Sequence, residues 1–328
     1  MKILITGCNR LRKSVVEALK NNRDGREVYV VGIDSSEQKI LRDGVDQFRI
    51  APRIDSDGYV DWLTELCKSE SIDIVIPFLQ AELPLAAEYR DKLAAVGTKV
   101  SIASRETLAA VNSKVALHDR YPEYMPRQAV CWNKADLDRF REEIGAGTPI
   151  CCKHDGWWGG SGFCVVDEQI CSGHISLAQL EAMLERGAGW LIVQEFVRGT
   201  DYNTVALADH GKLVGVCGFS GGDFELGAYS YGQMLEVRAA YDITERIVRE
   251  TCLDGNACFD FILKSDGTPV LLECNPRISS GLAFPSAAGA DFIYQRCKML
   301  LGEEYVTDYS IDYDLKMVLC HEYSFYKS

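Results

Sequence analysis

The sequence lacks any apolar run long enough to cross a bilayer. Its N-terminal stretch is apolar only over residues 3–5, far short of the about 18 residues of a membrane span and too short for a secretory signal core. A cytoplasmic chain with no membrane partner is expected. Histidine is scarce, with five in 328 residues, and no C-x-x-C occurs among the 13 cysteines, which argues against a Cys/His metal centre. Many of the thiols (Cys151, Cys152, Cys164, Cys217, Cys258) lie in apolar strand-like runs and are expected to be reduced and buried. Basic charge is also short: 35 Lys and Arg against 48 Asp and Glu leave a formal charge of −13. That balance excludes a chain that coats phosphate backbones, so no nucleic-acid partner is expected. Internal repeats and low-complexity linkers are absent, and 47% hydrophobic residues with 25% charged describe a packed chain rather than a disordered one.

What is present begins with alternation. Residues 2–6, 27–33, 72–76 and 100–102 read as strands, and 11–21, 59–69 and 83–95 as helices. Strands and helices in turn mean βαβ units and a parallel sheet. From about residue 112 the pattern changes to a small α/β segment, then to longer strands with hairpin-like turns at 191–195, 201–209, 212–220, 257–264 and 269–275. Helices are expected at 243–252 and 292–301. The fold class is therefore α/β, with an N-terminal parallel-sheet, Rossmann-like domain over 1–111 followed by an α+β part with a mostly antiparallel sheet, divided at 112–190 and 191–328.

Gly7 after the first strand and Asp34 after the second suggest a dinucleotide site, but a G-x-G-x-x-G pattern from Gly7 would need glycines where Asn9 and Arg12 stand. A scaffold domain is the better reading.

The most informative stretch is residues 257–277, ACFDFILKSDGTPVLLECNPR, in which two apolar runs flank Asp266-Gly267. That dipeptide favours a two-residue hairpin turn. Such a turn places Asp260 directly opposite Glu273, with Asn275 on the same face. Like charges facing each other destabilise a sheet, and a cation between them resolves the conflict. Carboxylate and amide oxygens suit Mg²⁺ or Mn²⁺ and not zinc. The competing reading is a pair of solvated acids on a half-exposed hairpin.

Two further stretches are suggestive. Lys153 ends an apolar strand and leads into a loop containing Gly156, Gly159, Gly160, Ser161 and Gly162, which can present backbone N–H groups to phosphate. The G-K-[ST] ending of a Walker loop is absent and a strand follows at 163–166, so an ordinary hairpin is the alternative. Residues 191–197, LIVQEFV, leave a strand toward Asp201; such a segment can meet a flat base and a carboxylate can hold ribose hydroxyls, or both acids can simply be solvated.

Taken in order, Lys114, Lys153 with its glycine loop, Gln194-Glu195-Phe196-Val197 with Asp201, and Asp260, Glu273 and Asn275 resemble the ATP-grasp superfamily from about residue 112 onward. The D-F-I-L…L-L-E-C-N-P-R segment is most similar to the carbamoyl-phosphate synthase large chain and related carboxylate–amine ligases, and the first domain resembles the α/β domain that precedes the grasp fold. The resemblance implies that Lys114 and Lys153 contact ATP phosphates, that the loop from Gly156 to Gly162 closes over them, and that Gln194 and the backbone of Glu195, Phe196 and Val197 bind adenine with Asp201 on the ribose. It implies one or two Mg²⁺ ions on Asp260, Glu273 and Asn275, and Arg277 on the phosphorylated intermediate or the substrate carboxylate. Residues 112–190 then form the subdomain with the phosphate loop, and 191–328 the one with the adenine and metal sites. Ser113 stands where many relatives have Asp, and Cys258 where some ligases carry an arginine.

The implied chemistry is transfer of the γ-phosphoryl of ATP to a small-molecule carboxylate, then displacement of phosphate by an amine. A carboxyphosphate-forming enzyme and an inactive ATP-binding regulatory module are the alternatives. A homodimer is compatible with the resemblance and has no sequence signature. Residues 220–238 read either as the acceptor side of the site or as an ordinary loop, and Arg238 as a phosphate contact or a surface residue.

Overall fold

Short β-branched runs separated by amphipathic stretches fold as their alternation requires. The computed structural model describes residues 1–9, 12–38, 41–155, 162–167, 173–186, 189–225 and 228–320. Strands β1 (Lys2–Ile5), β2 (Tyr29–Asp34), β3 (Gln47–Ile50), β4 (Ile74–Ile76) and β5 (Lys99–Val100) form a parallel sheet of order β3-β2-β1-β4-β5. Helices α1 (Lys13–Lys20), α2 (Tyr59–Ser69), α3 (Leu83–Ala94) and α4 (Arg105–Val111) alternate with them. β3 is an addition to the sequence reading: its residues are half-buried or exposed, so it carries no apolar signature.

Helix α5 (Lys114–Arg120), strand β6 (Gln128–Cys131), helix α6 (Lys134–Ile144), strands β7 (Ile150–Lys153), β8 (Cys164–Val166) and β9 (His174–Ile175), helix α7 (Leu177–Glu185) and strand β10 (Leu191–Glu195) follow. They build a sheet of order β6-β10-β7-β8-β9, antiparallel apart from the β8/β9 pair. The rest comprises β11 (Thr200–Asp209), β12 (Lys212–Glu225), β13 (Ala228–Met234), α8 (Arg238–Glu250), β14 (Gly255–Leu263), β15 (Pro269–Asn275), α9 (Ala283–Ala287), α10 (Phe292–Leu300) and β16 (Lys316–Val318). Its sheet has the order β15-β14-β11-β12-β13-β16, with antiparallel β12/β13 and β13/β16 pairs.

The 220–238 stretch is not an ordinary loop: Ser220 pairs with Gln233 and Gly222 with Tyr231 in the β12/β13 hairpin, and α8 starts at Arg238. Alternating glycines and aromatics disguise the strand because Gly221 and Gly222 lie directly under the Tyr229 and Tyr231 rings, where a Cβ would collide. Among the described residues no helix is long and apolar enough to cross a membrane. Among the described residues no cysteine forms a disulfide, and most are buried, with Cys252 and Cys320 exposed.

Contacts divide the chain into two units, one of Met1–Leu108, Asn203–Phe259 and Asn275–Ser328, the other of Ala109–Tyr202 and Asp260–Cys274. The core of the first unites Ile3, Ile5 and Val15 with Phe219, Phe284 and Phe292, so the N-terminal sheet shares its packing with later strands and helices. The second is built on Leu137, Phe140, Ile150, Leu180 and Val193.

A buried carboxyl sits beside a further core of the first unit, the one that contains Tyr59, Leu63 and Tyr89. Glu82 is fully buried and accepts hydrogen bonds from Thr6 Oγ1 at 2.5 Å, Tyr59 OH at 2.8 Å and Tyr89 OH at 2.9 Å. Burial raises its pKa, against the lowering effect of those three donors. A carboxyl with a raised folded pKa binds more protons folded than unfolded, so its contribution is present below the ordinary carboxylate pKa and is lost as pH rises through the folded value. Denaturant unfolding of wild type and Glu82→Gln from about pH 4 to about pH 8 is expected to show the wild type losing stability relative to the variant with rising pH; a difference independent of pH would contradict the shift.

Candidate functional site

The second unit gathers most of the charged residues singled out above. β7 is buried throughout and delivers Lys153 at its end, 8% exposed. The ammonium donates to Gln194 Oε1 at 2.9 Å. Register explains the meeting: Gln194 pairs with Cys151 and Ile192 with Lys153 across β10/β7, so Gln194 and Lys153 are diagonal neighbours on one face. Burial lowers the Lys153 pKa, with Lys114 acting in the same sense and Cys151, Glu273 and Asp155 opposing it. A cation held in this way keeps a positive field that an anionic ligand can use.

Lys114 opens α5. Ser113 caps the helix, its Oγ accepting from Ala116 N at 3.1 Å and donating to Asp155 Oδ2 at 2.7 Å. Asp155 Oδ1 accepts from Lys114 N at 2.7 Å. The first carboxylate after Lys153 therefore satisfies an orphan N–H of the helix that carries the other lysine. Sequence reading passed over Asp155 because it stands in a loop judged for its glycines; a Ser-Lys helix start needing an acceptor was the available signal.

Lys114 Nζ lies 2.8 Å from Glu273 Oε2, with 13% and 25% of the two side chains exposed. Burial pushes the Glu273 pKa up, but Lys114, a hydrogen bond from the Asp260 carboxyl and the charge of Lys153 together hold it at about 2. The two acids thus meet, although the turn between them differs from the expected one. Lys264 N donates to Thr268 O at 3.0 Å and Gly267 N to Lys264 O at 2.9 Å, with Gly267 at φ +82°. This is a three-residue loop with a left-handed glycine, one residue longer than the two-residue turn expected of Asp266-Gly267. Gly199 completes the local frame: a Cβ there would lie 2.1 Å from Leu263 O, so the turn after β10 presses directly on the end of β14.

Glu195 N donates to Arg127 O at 2.9 Å and Phe196 N to Pro149 O at 2.8 Å, while the Glu195 carboxylate takes Arg127 Nε at 3.1 Å. Val197 is half-buried beyond them. Asp201 is solvent-exposed at the start of β11, though nearby protein raises its pKa by desolvation. Gly162, at φ +69°, precedes β8; Gly156, Gly159, Gly160 and Ser161 lie outside the described residues.

Asn275 and Arg277 belong to the first unit. Arg277 donates from Nε to Gln80 Oε1 at 3.0 Å and from Nη2 to Asn275 Oδ1 at 3.4 Å. Burial and the Arg277 charge together lower the Arg12 pKa to about 10. Arg238 is a surface residue, 80% exposed in its side chain and ion-paired with Glu236. Among the described residues one further cluster of ligand-type atoms, Asp209, His210 and Asp254, is engaged: Asp254 accepts both Arg296 Nη1 and Nη2, and Asp209 accepts from Tyr305 OH.

Two family models match parts of the chain. A model for a PylC-like N-terminal domain matches residues 3–101, and a model for an ATP-grasp in the biosynthetic pathway with Ter operon matches residues 189–320. Residues 189–320 thus match an ATP-grasp family model, and the fold of the chain is that of solved ATP-grasp structures. Similar solved structures include N5-carboxyaminoimidazole synthetase from Staphylococcus aureus complexed with ADP, 12% identical with a TM-score of 0.70 over 94% of this chain and 79% of that one. The biotin carboxylase domain of Hydrogenobacter thermophilus 2-oxoglutarate carboxylase, in complex with MgADP, ADP and bicarbonate, is 14% identical with a TM-score of 0.70 over 95% of this chain and 72% of that one. L-amino acid ligase from Bacillus licheniformis is 16% identical with a TM-score of 0.65 over 93% and 75%. At these identities the ATP-grasp likeness is one of fold. A search of curated proteins returns no match.

Two acids close enough to share a hydrogen bond form a hard oxygen set that fits Mg²⁺, and burial of Glu273 favours a cation beside it. Lys114 is the cation that takes this part in the structure. Replacing Lys114 with Met removes the leading influence that lowers the Glu273 pKa and leaves burial opposed only by the Asp260 hydrogen bond and the Lys153 charge, so ¹³C-detected titration of the Glu273 carboxyl is expected to move upward. A Glu273 titration unmoved in the variant would contradict the pairing.

Proposed function

We propose that this chain is an ATP-dependent ligase that phosphorylates a small-molecule carboxylate and couples the acyl phosphate to an amine, releasing ADP and phosphate. The observation that carries the reading is the ring of opposed charges in one unit: Lys153 on a neutral amide, Lys114 on Glu273, and Asp260 against Glu273. Such a site can accept polyphosphate and a divalent cation together, Lys114 turning from Glu273 to phosphate as the cation takes its place.

In this reading Lys114 and Lys153 meet the ATP phosphates under the loop from Gly156 to Gly162. The base lies against Gln194, Glu195, Phe196 and Val197. Because the Glu195 and Phe196 N–H groups already bond within the sheet, contact there passes to carbonyl acceptors and to Val197. Asp201 serves the ribose. Asp260 and Glu273, followed on the same strand by Asn275, would hold Mg²⁺, which when bound offsets charge on the transferring phosphoryl group. Arg277, steadied by Gln80 and Asn275, meets the acyl phosphate or the substrate carboxylate. A carboxylate oxygen is a poor leaving group until phosphorylated, so the residues' task is positioning and charge balance, without a nucleophilic side chain.

A second reading has specific support: one similar structure is a biotin carboxylase domain with bicarbonate bound, which favours carboxyphosphate formation by the same residues. One assay separates them. ADP release is measured with ATP, Mg²⁺ and amines, once with pooled carboxylic acids and once with bicarbonate, with hydroxylamine present to trap acyl phosphate and Glu273→Ala in parallel. Acid-dependent ADP and hydroxamate, lowered about a hundredfold or more in the variant, are expected. ADP that depends on bicarbonate alone selects the second reading. ATP binding without turnover in either pool would indicate a regulatory module, and no ATP binding would remove the site assignment.

A further inference from the structure

Gln128 takes no part in the roles given above. It opens the edge strand β6, directly in register with Gln194 of β10. Residues paired in register project to one face of a sheet, and here the side chains connect. Lys153 Nζ donates to Gln194 Oε1 at 2.9 Å, Gln194 Nε2 donates to Gln128 Oε1 at 3.1 Å, and Gln128 Nε2 donates to the Lys114 carbonyl at 3.4 Å.

The direction of this chain of bonds is fixed by chemistry at both ends. An ammonium has donors and no acceptor, so Gln194 must turn its oxygen to Lys153 and its NH₂ the other way. A carbonyl oxygen accepts and cannot donate, so Gln128 must turn its NH₂ to Lys114 and its oxygen to Gln194. Neither amide can flip without placing two donors or two acceptors face to face. Gln194 is 2% exposed, so water does not readily replace a lost partner.

We propose that Gln128 is a positioning residue for the nucleotide site: acting through Gln194 it fixes where the Lys153 ammonium is held, and it ties that position to the backbone of Lys114. This inference rests on the nucleotide reading given under Proposed function. It goes beyond that reading in assigning Gln194 an inward task, the aiming of a lysine, and in extending the site to a strand that contacts no ligand in it.

The test is calorimetric titration of the full chain with MgADP, which needs no knowledge of the acid or amine. Gln128→Met, of similar length but without polar atoms, is expected to weaken MgADP about tenfold, and Gln194→Met by about the same. The double variant is expected to be no weaker than the poorer single, because either change breaks the same relay. Gln128→Glu keeps an acceptor for Gln194 Nε2 but loses the donor to the Lys114 carbonyl, so its affinity is expected to fall between those of wild type and Gln128→Met; it also serves if Gln128→Met does not fold. Wild-type affinity in Gln128→Met, or losses that simply add in the double variant, would overturn the proposal while leaving the nucleotide site intact. Failure of the wild type to bind MgADP would overturn the nucleotide reading, and the proposal with it.

Discussion

Two lysines and two carboxyls are brought together in the second unit, and its local structure is arranged so that they do not all neutralise one another. A buried ion costs several kcal/mol in desolvation even after the protein relaxes around it. Had Lys153 reached Glu273 directly, the pair would have closed on itself. Instead Lys114 holds Glu273 at 2.8 Å while Lys153 leans on a neutral amide at 2.9 Å. The Ser113 cap, the Asp155 carboxylate beneath it, the β10/β7 register and the press of Gly199 on Leu263 O each fix one member of this set. Electrostatic tension of this kind is affordable to a fold when ligand binding relieves it.

Much of the architecture was legible because it obeys period and punctuation. The helix over Tyr59–Ser69 and the strands Leu191–Glu195 and Pro269–Asn275 have the bounds that their apolar patterns imply. β3 escaped because an exposed edge strand has no buried face to announce it, and the β12/β13 hairpin because glycines packed under tyrosine rings read as loop. The Asp-Gly pair marked the hairpin, yet the loop is one residue longer, since the local bonds of Lys264, Gly267 and Thr268 decide it, so the two-residue turn is not what brings the Asp260 carboxyl within hydrogen-bond reach of Glu273. Gln128 and Asp155 gave no such sign. A lone amide in a short strand and an aspartate in a glycine loop acquire meaning from partners 66 and 41 residues away, at Gln194 and Lys114.

The first unit shows a different economy. Its parallel sheet has the strand order of a nucleotide-binding domain but lacks the glycines that admit a pyrophosphate, and a Cβ at Gly7 would meet Leu79 at 2.7 Å. What the sheet does supply is Gln80, which takes the Arg277 guanidinium at 3.0 Å. A scaffold of this order can thus serve as an anchor for a distant arginine without binding a nucleotide itself. The shared core of Ile3 and Ile5 with Phe219 and Phe292 joins the N-terminal sheet to later elements of the same unit.

The one-way run from Lys153 through Gln194 and Gln128 to the Lys114 carbonyl also makes its two amides interdependent. Because each amide is oriented by the next, a replacement at either glutamine leaves a polar group of the other without its partner, and a change at Gln128 reaches Lys153 only through Gln194. The two glutamines therefore carry one structural task although they lie on different strands and far apart in the chain.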